Sequence, residues 1–294
     1  MSEHDFLADR FEAHRGHLRA VAYRMLGSLS DADDAVQEAW LRLSRTGGGG
    51  VENLGGWLTT VVGRVCLDML RSRTSRRETP LDERLPDPVL SPPAGIDPEQ
   101  EALIADSVGL ALLVVLQSLG PAERLAFVLH DLFAVPFDDI APIVGRTPAA
   151  ARQLASRARR RVRGSVPAAD PDLARQRRVV EAFRAAADGG DLEALVAVLD
   201  PDVVLRADRG AVPGGGWTLL RGAEAVAGQA LTFRGLAARS RPALVNGTAG
   251  IVATVDGRPV SVLAFTIADG RIAAIDILAD PGRVAALDLT VLDG

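Results

Sequence analysis

Ser30-Asp31-Ala32-Asp33-Asp34-Ala35-Val36-Gln37-Glu38-Ala39-Trp40-Leu41 mixes apolar and acidic side chains in an order that a helix sorts onto two faces. Ala35, Val36, Ala39, Trp40 and Leu43 recur at helical spacing and form one apolar stripe. Ser30 with an acid three residues later is a capping-box variant, Asp in place of Glu, and predicts the helix start. Gly47 to Gly50 break the chain. A further helix is predicted from about Leu54, with Leu58, Val61, Val62, Val65, Leu67 and Leu70 along it and a basic tail from Arg71 to Arg77. Residues 5–77 thus read as one all-α unit.

Downstream, residues 78–101 hold six prolines and seven acids against the single Arg84. That composition predicts an extended acidic linker with too little apolar surface to order itself. A second all-α unit follows over 102–164. Its predicted helices are Leu103 to Leu119, Pro121 to Phe133, Phe137 to Val144, and a last one opened by Thr147-Pro148, an N-cap with a first-turn proline. The short turn at Gly145 between the last two is a helix-turn-helix signature. Arg152, Gln153, Ser156, Arg157 and Arg160 are predicted to face outward, where Arg can grip guanine and Gln adenine in a major groove. Arg159, Arg161 and Arg163 lie later, at positions suited to phosphate. A solvated basic helix that contacts nothing is the competing reading.

Beyond a short spacer, helical patterns at 172–187 and 191–199 give way to strand-like runs at Leu244 to Val255, Val260 to Ala268 and Arg271 to Ala279. Asp256-Gly257 and Asp269-Gly270 separate them as hairpin turns. Residues 172–294 therefore read as an α+β domain with an antiparallel meander.

The 294 residues carry a net charge of -5, and all 33 cations are arginine. Seven arginines and no acid lie between Ile140 and Ala169, and Arg64, Arg71, Arg73, Arg76 and Arg77 form a second basic cluster. Residues 172–294, with 13 arginines and 15 acids, show no nucleic-acid signature. One cysteine, Cys66, excludes an internal disulfide framework, and the four histidines have no metal-ligand spacing. No cofactor or metal is expected. The longest apolar run, Val108 to Leu116, is too short for a membrane span, and Met1 to Asp5 lacks the apolar core of a signal peptide. The expectation is a cytoplasmic protein with no membrane contact.

The 30–41 stretch resembles the D-A-E-D-x-x-Q-E helix of bacterial RNA polymerase sigma factors, and Phe11, Val21, Ala22, Tyr23, Gly27 and Trp57-Leu58 fit the same pattern. Basic helix, acidic linker and helix-turn-helix then resemble, in order, the minus-ten domain, linker and minus-thirty-five domain of the extracytoplasmic-function class. The resemblance implies core RNA polymerase and promoter DNA as partners. It implies polymerase docking by Asp33, Asp34, Gln37, Glu38 and Leu41. Val61 and Arg64 would sit beside the unstacked minus-ten base, Arg64 standing where the class usually has asparagine. The loop from Thr46 to Leu54 would capture that base, and Arg71, Arg73, Arg76 and Arg77 would hold phosphates.

The last unit resembles the SnoaL-like family of the NTF2 superfamily, a cone-shaped α+β domain around a pocket. The resemblance rests on Gly190-Asp191-Leu192-Glu193-Ala194-Leu195 and Leu199-Asp200-Pro201-Asp202-Val203. Asp208-Arg209-Gly210 with Gly214-Gly215-Gly216, and Asp280-Pro281-Gly282-Arg283, stand in for two motifs of sigma factors bearing this extension. Asp208, Trp217 and Asp276 are the pocket candidates for a small-molecule ligand. SnoaL-like enzymes pair Asp with His, and no histidine follows His130. The domain is therefore expected to regulate the sigma factor in cis and not to act as an enzyme. The alternatives are a ligand-responsive regulator that never joins polymerase, and an isomerase or polyketide-modifying activity in residues 172–294.

Overall fold

The computed structural model describes residues 3–46, 53–76, 84–93, 109–165, 169–212, 215–237, 239–287 and 289–292. The chain divides into two compact units. The first comprises residues 1–80, 101–106 and 115–165, and the second residues 81–100, 107–114 and 166–294.

Three helices, α1 (Glu3–Leu26), α2 (Leu29–Thr46) and α3 (Leu54–Arg76), open the first unit. Gly27 takes the left-handed conformation (φ 72°) that turns the chain out of α1. Ser28, not Ser30, caps α2. Its hydroxyl accepts from the Asp31 N–H at 3.4 Å, and Ser30 already lies inside the helix. Ala32, Ala35, Val36, Ala39 and Leu43 are buried, as the periodicity predicts, and Phe11 packs against Trp40 with ring centroids 5.1 Å apart.

In the second helical module, α4 (Leu110–Gln117) is followed by α5 (Pro121–Phe127), a π-helical turn (Val128–Leu132), α6 (Phe137–Val144) and α7 (Pro148–Ser165). Gly145 (φ 67°) ends α6, and the Thr147 hydroxyl accepts from Ala150 N–H at 3.3 Å to start α7. The helix-turn-helix is therefore built by the residues that predict it. α7 buries Ala151, Ala155 and Ala158, whose small side chains let it pack on α5 and α6.

The second unit is a seven-stranded sheet with helices. Its elements are β1 (Leu90–Ser91), α8 (Leu173–Gly189), α9 (Leu192–Val198), β2 (Leu199–Asp208), β3 (Trp217–Arg221), α10 (Ala223–Thr232), α11 (Arg234–Ala237), β4 (Ser240–Val245), β5 (Thr248–Val255), β6 (Arg258–Ala268), β7 (Arg271–Leu278) and α12 (Pro281–Ala285). Strand order is β1-β4-β5-β6-β7-β2-β3. The carboxylates of Asp172 and Asp191 cap α8 and α9. Phe183, Leu195, Val203, Leu205, Val226, Ile251, Phe265 and Ile275 centre the core.

Three expectations change here. Leu244 to Val255 is not one strand, because Asn246-Gly247, both at positive φ, makes a hairpin between β4 and β5. The sheet is not purely antiparallel, since β2 runs parallel to β7. The linker is not free of the folded domains. Leu85, Pro86, Pro88, Val89, Leu90 and Ser91 are buried, and β1 pairs antiparallel with β4.

On β2 and β7 the register sets Arg206 beside Asp276, bonded at 2.6 Å with only 1% of the Asp276 side chain exposed. Burial raises the Asp276 carboxyl above its usual value, and the Arg206 guanidinium opposes that shift. Asp276→Ala strands a largely buried cation and is expected to cost about 3 kcal/mol in a urea titration. A cost below about 0.5 kcal/mol would show that the pair is not structural.

Candidate nucleic-acid and polymerase interfaces and the linker clasp

On α2, Asp33, Asp34, Gln37 and Leu41 are exposed on the face opposite the buried stripe. Two carboxylates there are already committed. Asp33 binds Arg19 of α1 at 2.6 Å, and Glu38 binds Arg42 one turn on at 2.9 Å. Asp34, Gln37 and Leu41, the last 40% exposed, remain an acidic and apolar patch.

Along α3, Arg64 is exposed, whereas Val61 is buried at 9%. Arg73 turns back to α2 and pairs with Asp31 at 2.5 Å, so this predicted phosphate ligand holds two helices together. Arg71 is exposed, 4.0 Å from Asp68. The Arg76 side chain, Arg77 and most of the base-capture loop, residues 47–52, lie outside the described residues. Cys66 is fully buried, and burial pushes its thiol well above the usual range, which makes it inert packing.

The arginines of α7 divide by angle. At about 100° per residue, Arg152, Ser156, Arg160 and Gln153 fall on one stripe away from the buried alanines. Arg157 and Arg161 reach Glu123 at 2.8 and 3.8 Å, and Arg159 binds Asp131. These flanking arginines clamp α7 to the module. Arg152 lies over the Phe137 ring at 5.5 Å, and Arg160 donates to Ser156 at 3.3 Å. Four of the five predicted reading residues therefore share one face, and Arg157 belongs to the clamp.

The C-terminal domain has a cavity of about 180 Å³ between its helices and the sheet, lined by Phe183, Leu205, Ala207, Arg209, Ile251, Leu263, Ile275 and Ile277 among others. Asp208, Trp217 and Asp276 do not line it. Side chains alternate along a strand, so Ala207 and Ile277 facing the cavity puts Asp208 and Asp276 on the other face. Trp217 stands on edge strand β3, in register with Asp208.

On that other face Asp208 does different work. One of its oxygens accepts from the Leu85 N–H at 3.0 Å and from Arg283 at 2.6 Å. Arg283 also donates to Asp87 at 2.6 Å and to the Leu85 carbonyl at 2.6 Å. Asn246, in the β4–β5 turn, exchanges two bonds with Val89 at 3.2 and 2.8 Å. Arg177 donates to the carbonyl of Pro93. The linker is thus clasped along 85–93 by one domain.

The chain matches the family models of Sigma-70 region 2 over residues 10–76 and Sigma-70, region 4 over residues 109–162. It is 37% identical over 293 residues to "Probable ECF RNA polymerase sigma factor SigI" of Mycobacterium tuberculosis, covering 98% of each chain. It is 40% identical over 287 residues to "ECF RNA polymerase sigma factor SigJ" of the same organism, covering 93% of this chain and 91% of that protein. The chain belongs to the ECF RNA polymerase sigma factors. The crystal structure of M. tuberculosis SigJ is similar throughout, with a TM-score of 0.77 at 38% identity over 96% of this chain and 100% of that one.

As an ECF sigma factor the protein binds core RNA polymerase, recognises promoter DNA and promotes transcription initiation. Helices α1–α3 are region 2 and α4–α7 region 4, while the clasped linker belongs to neither matched model. No helix among the described residues is long and apolar enough to cross a membrane. Within the first unit the two regions touch. Arg124, 2% exposed, donates to Met25 O in the last turn of α1 at 2.8 Å and to Gln117 O at the end of α4 at 2.7 Å. One guanidinium thereby satisfies carbonyls at two helix C-termini and meets the negative end of both dipoles. A Cβ added to Gly63 of α3 would stand 3.4 Å from Leu129 and 3.8 Å from Ile143 of region 4.

Sequence reading missed Arg124 and Asn246, each isolated in its local pattern, and named Arg283 only as the end of the Asp280-Pro281-Gly282-Arg283 motif, without its linker partners. Only the Asn-Gly pair carried a signal that could have located Asn246. Arg283→Ala is expected to release the clasp and raise amide exchange of Leu85 and Val89 at least tenfold, with exchange in α8 unchanged. Unaltered exchange at Leu85 would show that Arg283 does not hold the linker.

Proposed function

We propose that this sigma factor rests in a closed arrangement and that its C-terminal domain keeps it closed by clasping the linker. The observation that carries this reading is the Arg283 network with Asp208, Asp87 and the Leu85 carbonyl. Promoter elements about 25 base pairs apart are separated by roughly 85 Å on straight B-DNA. A 24-residue linker spans roughly 80 Å at full extension. Regions 2 and 4, which touch at Arg124 and Met25, must therefore part and use most of that length to engage both elements. A linker pinned at 85–93 cannot supply it.

The clasp is reversible on energetic grounds. Burying Leu85, Val89 and Leu90 contributes about 1.5–3 kcal/mol each, and ordering the segment costs about 1–2 kcal/mol per residue. These terms are of one order. The charge-assisted bonds of Arg283 tip the balance, and anything that perturbs them shifts it.

In the open state Asp34, Gln37 and Leu41, with Asp33 and Glu38 once their partner arginines yield, dock on basic and apolar surface of the polymerase. Arg152, Gln153, Ser156 and Arg160 read the minus-thirty-five element. Val61, Arg64 and Arg71 serve the minus-ten strand, and Arg76 and Arg77 continue that basic tail. The protein works in the cytoplasm and is not an enzyme. Asp208 and Asp276 point away from the cavity and are bonded to arginines, and among the described residues no carboxylate or histidine lines it.

The test is transcription in vitro with core polymerase. Arg283→Ala is expected to raise promoter opening severalfold over wild type, and equal opening would sink the clasp reading. Asp34→Arg should abolish core polymerase pull-down with the helical fold retained. Arg160→Ala should cost about 1–3 kcal/mol in promoter affinity and relax the preference for one base of the minus-thirty-five element. Arg159→Ala should leave that preference intact and lower the melting temperature. The opposite assignment of the two arginines would overturn the division of α7.

A further inference from the structure

The cavity of the C-terminal domain is mostly apolar, with Arg184, Arg209, Gln229, Ser240 and Ser261 as the polar side chains of its lining. Its walls are Leu205, Ile251, Leu263, Ile275 and Ile277, with Phe233 of the α10 C-terminus, 45% exposed, beside Arg209. Two guanidinium groups line it. That of Arg184 is bound to Glu181 at 2.6 Å, whereas no carboxylate among the described residues pairs with Arg209, which lies over the Phe233 ring at 5.8 Å. A cation half-buried on the rim of an apolar hole is an incomplete ion pair. The volume of about 180 Å³ sets the size of what completes it. An apolar cavity of about 150 Å³ takes a benzene-sized guest.

We propose that this cavity binds a small apolar acid, one ring or a short branched chain, with its carboxylate on Arg209. Resting on the clasp reading above, we also assign it a route to the linker. Ala207 and Arg209 line the cavity, and Asp208 between them holds Leu85 and Arg283. On β7's side Ile277 and Ala279 line it, and the Ala279 N–H donates to the Asp208 carbonyl at 2.7 Å. Gly210, which follows at φ 69°, donates to the Asp208 carboxylate at 3.0 Å. A ligand that draws Arg209 inward moves the residue next to the clasp carboxylate, on a backbone bonded at both sides of it.

The experiment is calorimetry on the full-length protein with benzoate, benzyl alcohol and benzylammonium. Benzoate is expected to bind at least tenfold more tightly than benzyl alcohol, and benzylammonium more weakly than either. Arg209→Gln should bring benzoate down to the affinity of the alcohol while leaving alcohol binding unchanged, which shows the cavity still folded. Arg209→Lys should keep the preference for the acid. No binding by any probe, no preference for benzoate, or a preference that survives Arg209→Gln would overturn the site. Saturating benzoate should also change Leu85 amide exchange in wild type, and an unchanged rate would overturn the route to the linker. Neither failure touches the clasp itself, which the Arg283→Ala transcription assay decides separately.

Discussion

Arg283 places one planar guanidinium among the carboxylate of Asp208 on the sheet, the carboxylate of Asp87 in the linker and the carbonyl of Leu85. Its side chain is 14% exposed, so these bonds form where water screens them little. The α12 cap holds the arginine in place, because Asp280 accepts from the backbone N–H groups of Gly282 and Arg283 at 2.9 and 3.0 Å. The prolines on either side of Asp87 help in another way. They lack N–H donors that burial would leave unsatisfied, and they limit the freedom lost when the segment docks. An acidic, proline-rich stretch thereby becomes a segment of a neighbouring domain's sheet.

The same economy recurs through the molecule. With no lysine in the chain, arginine supplies both the structural cations and the proposed recognition cations. Arg124, Arg206 and Arg283 are buried or nearly so and are spent on carbonyls and carboxylates within the fold. Arg157, Arg159 and Arg161 tie α7 to Glu123 and Asp131, while Arg152 and Arg160 stay outward. What separates the two groups is whether an acid stands within reach on a neighbouring helix, which residue type alone does not reveal. A fixed reading helix and a fixed linker thus rest on one kind of interaction.

That distinction also explains what the sequence could and could not tell. The helix-turn-helix was legible because its signals are local, with Gly145 ending one helix and Thr147-Pro148 starting the next. The α2 stripe was legible for the same reason, although its cap fell on Ser28 and not Ser30. The exposure of Asp34, Gln37 and Leu41 followed from helical period alone. The ion pairs of Arg73 and Arg157 were not legible because their partners, Asp31 and Glu123, lie on other helices. Asp208 and Asp276 were misjudged by one strand position, because a single step along a strand moves a side chain to the opposite face, and Trp217 stands on a strand that does not line the cavity. The linker was misjudged because composition averaged away Leu85, Val89 and Leu90, and because Arg283 lies 196 residues from Asp87.

In the proposed closed state, a domain outside the two matched sigma regions governs whether those regions can part. The direct measurement is a distance distribution by double electron–electron resonance between spin labels at Arg45 on α2 and Ser165 at the end of α7, both exposed. The account requires one short distance in the resting protein and a population several tens of ångströms longer once Arg283 is replaced by alanine, with no DNA or polymerase present. Coincident distributions for the two proteins would contradict it.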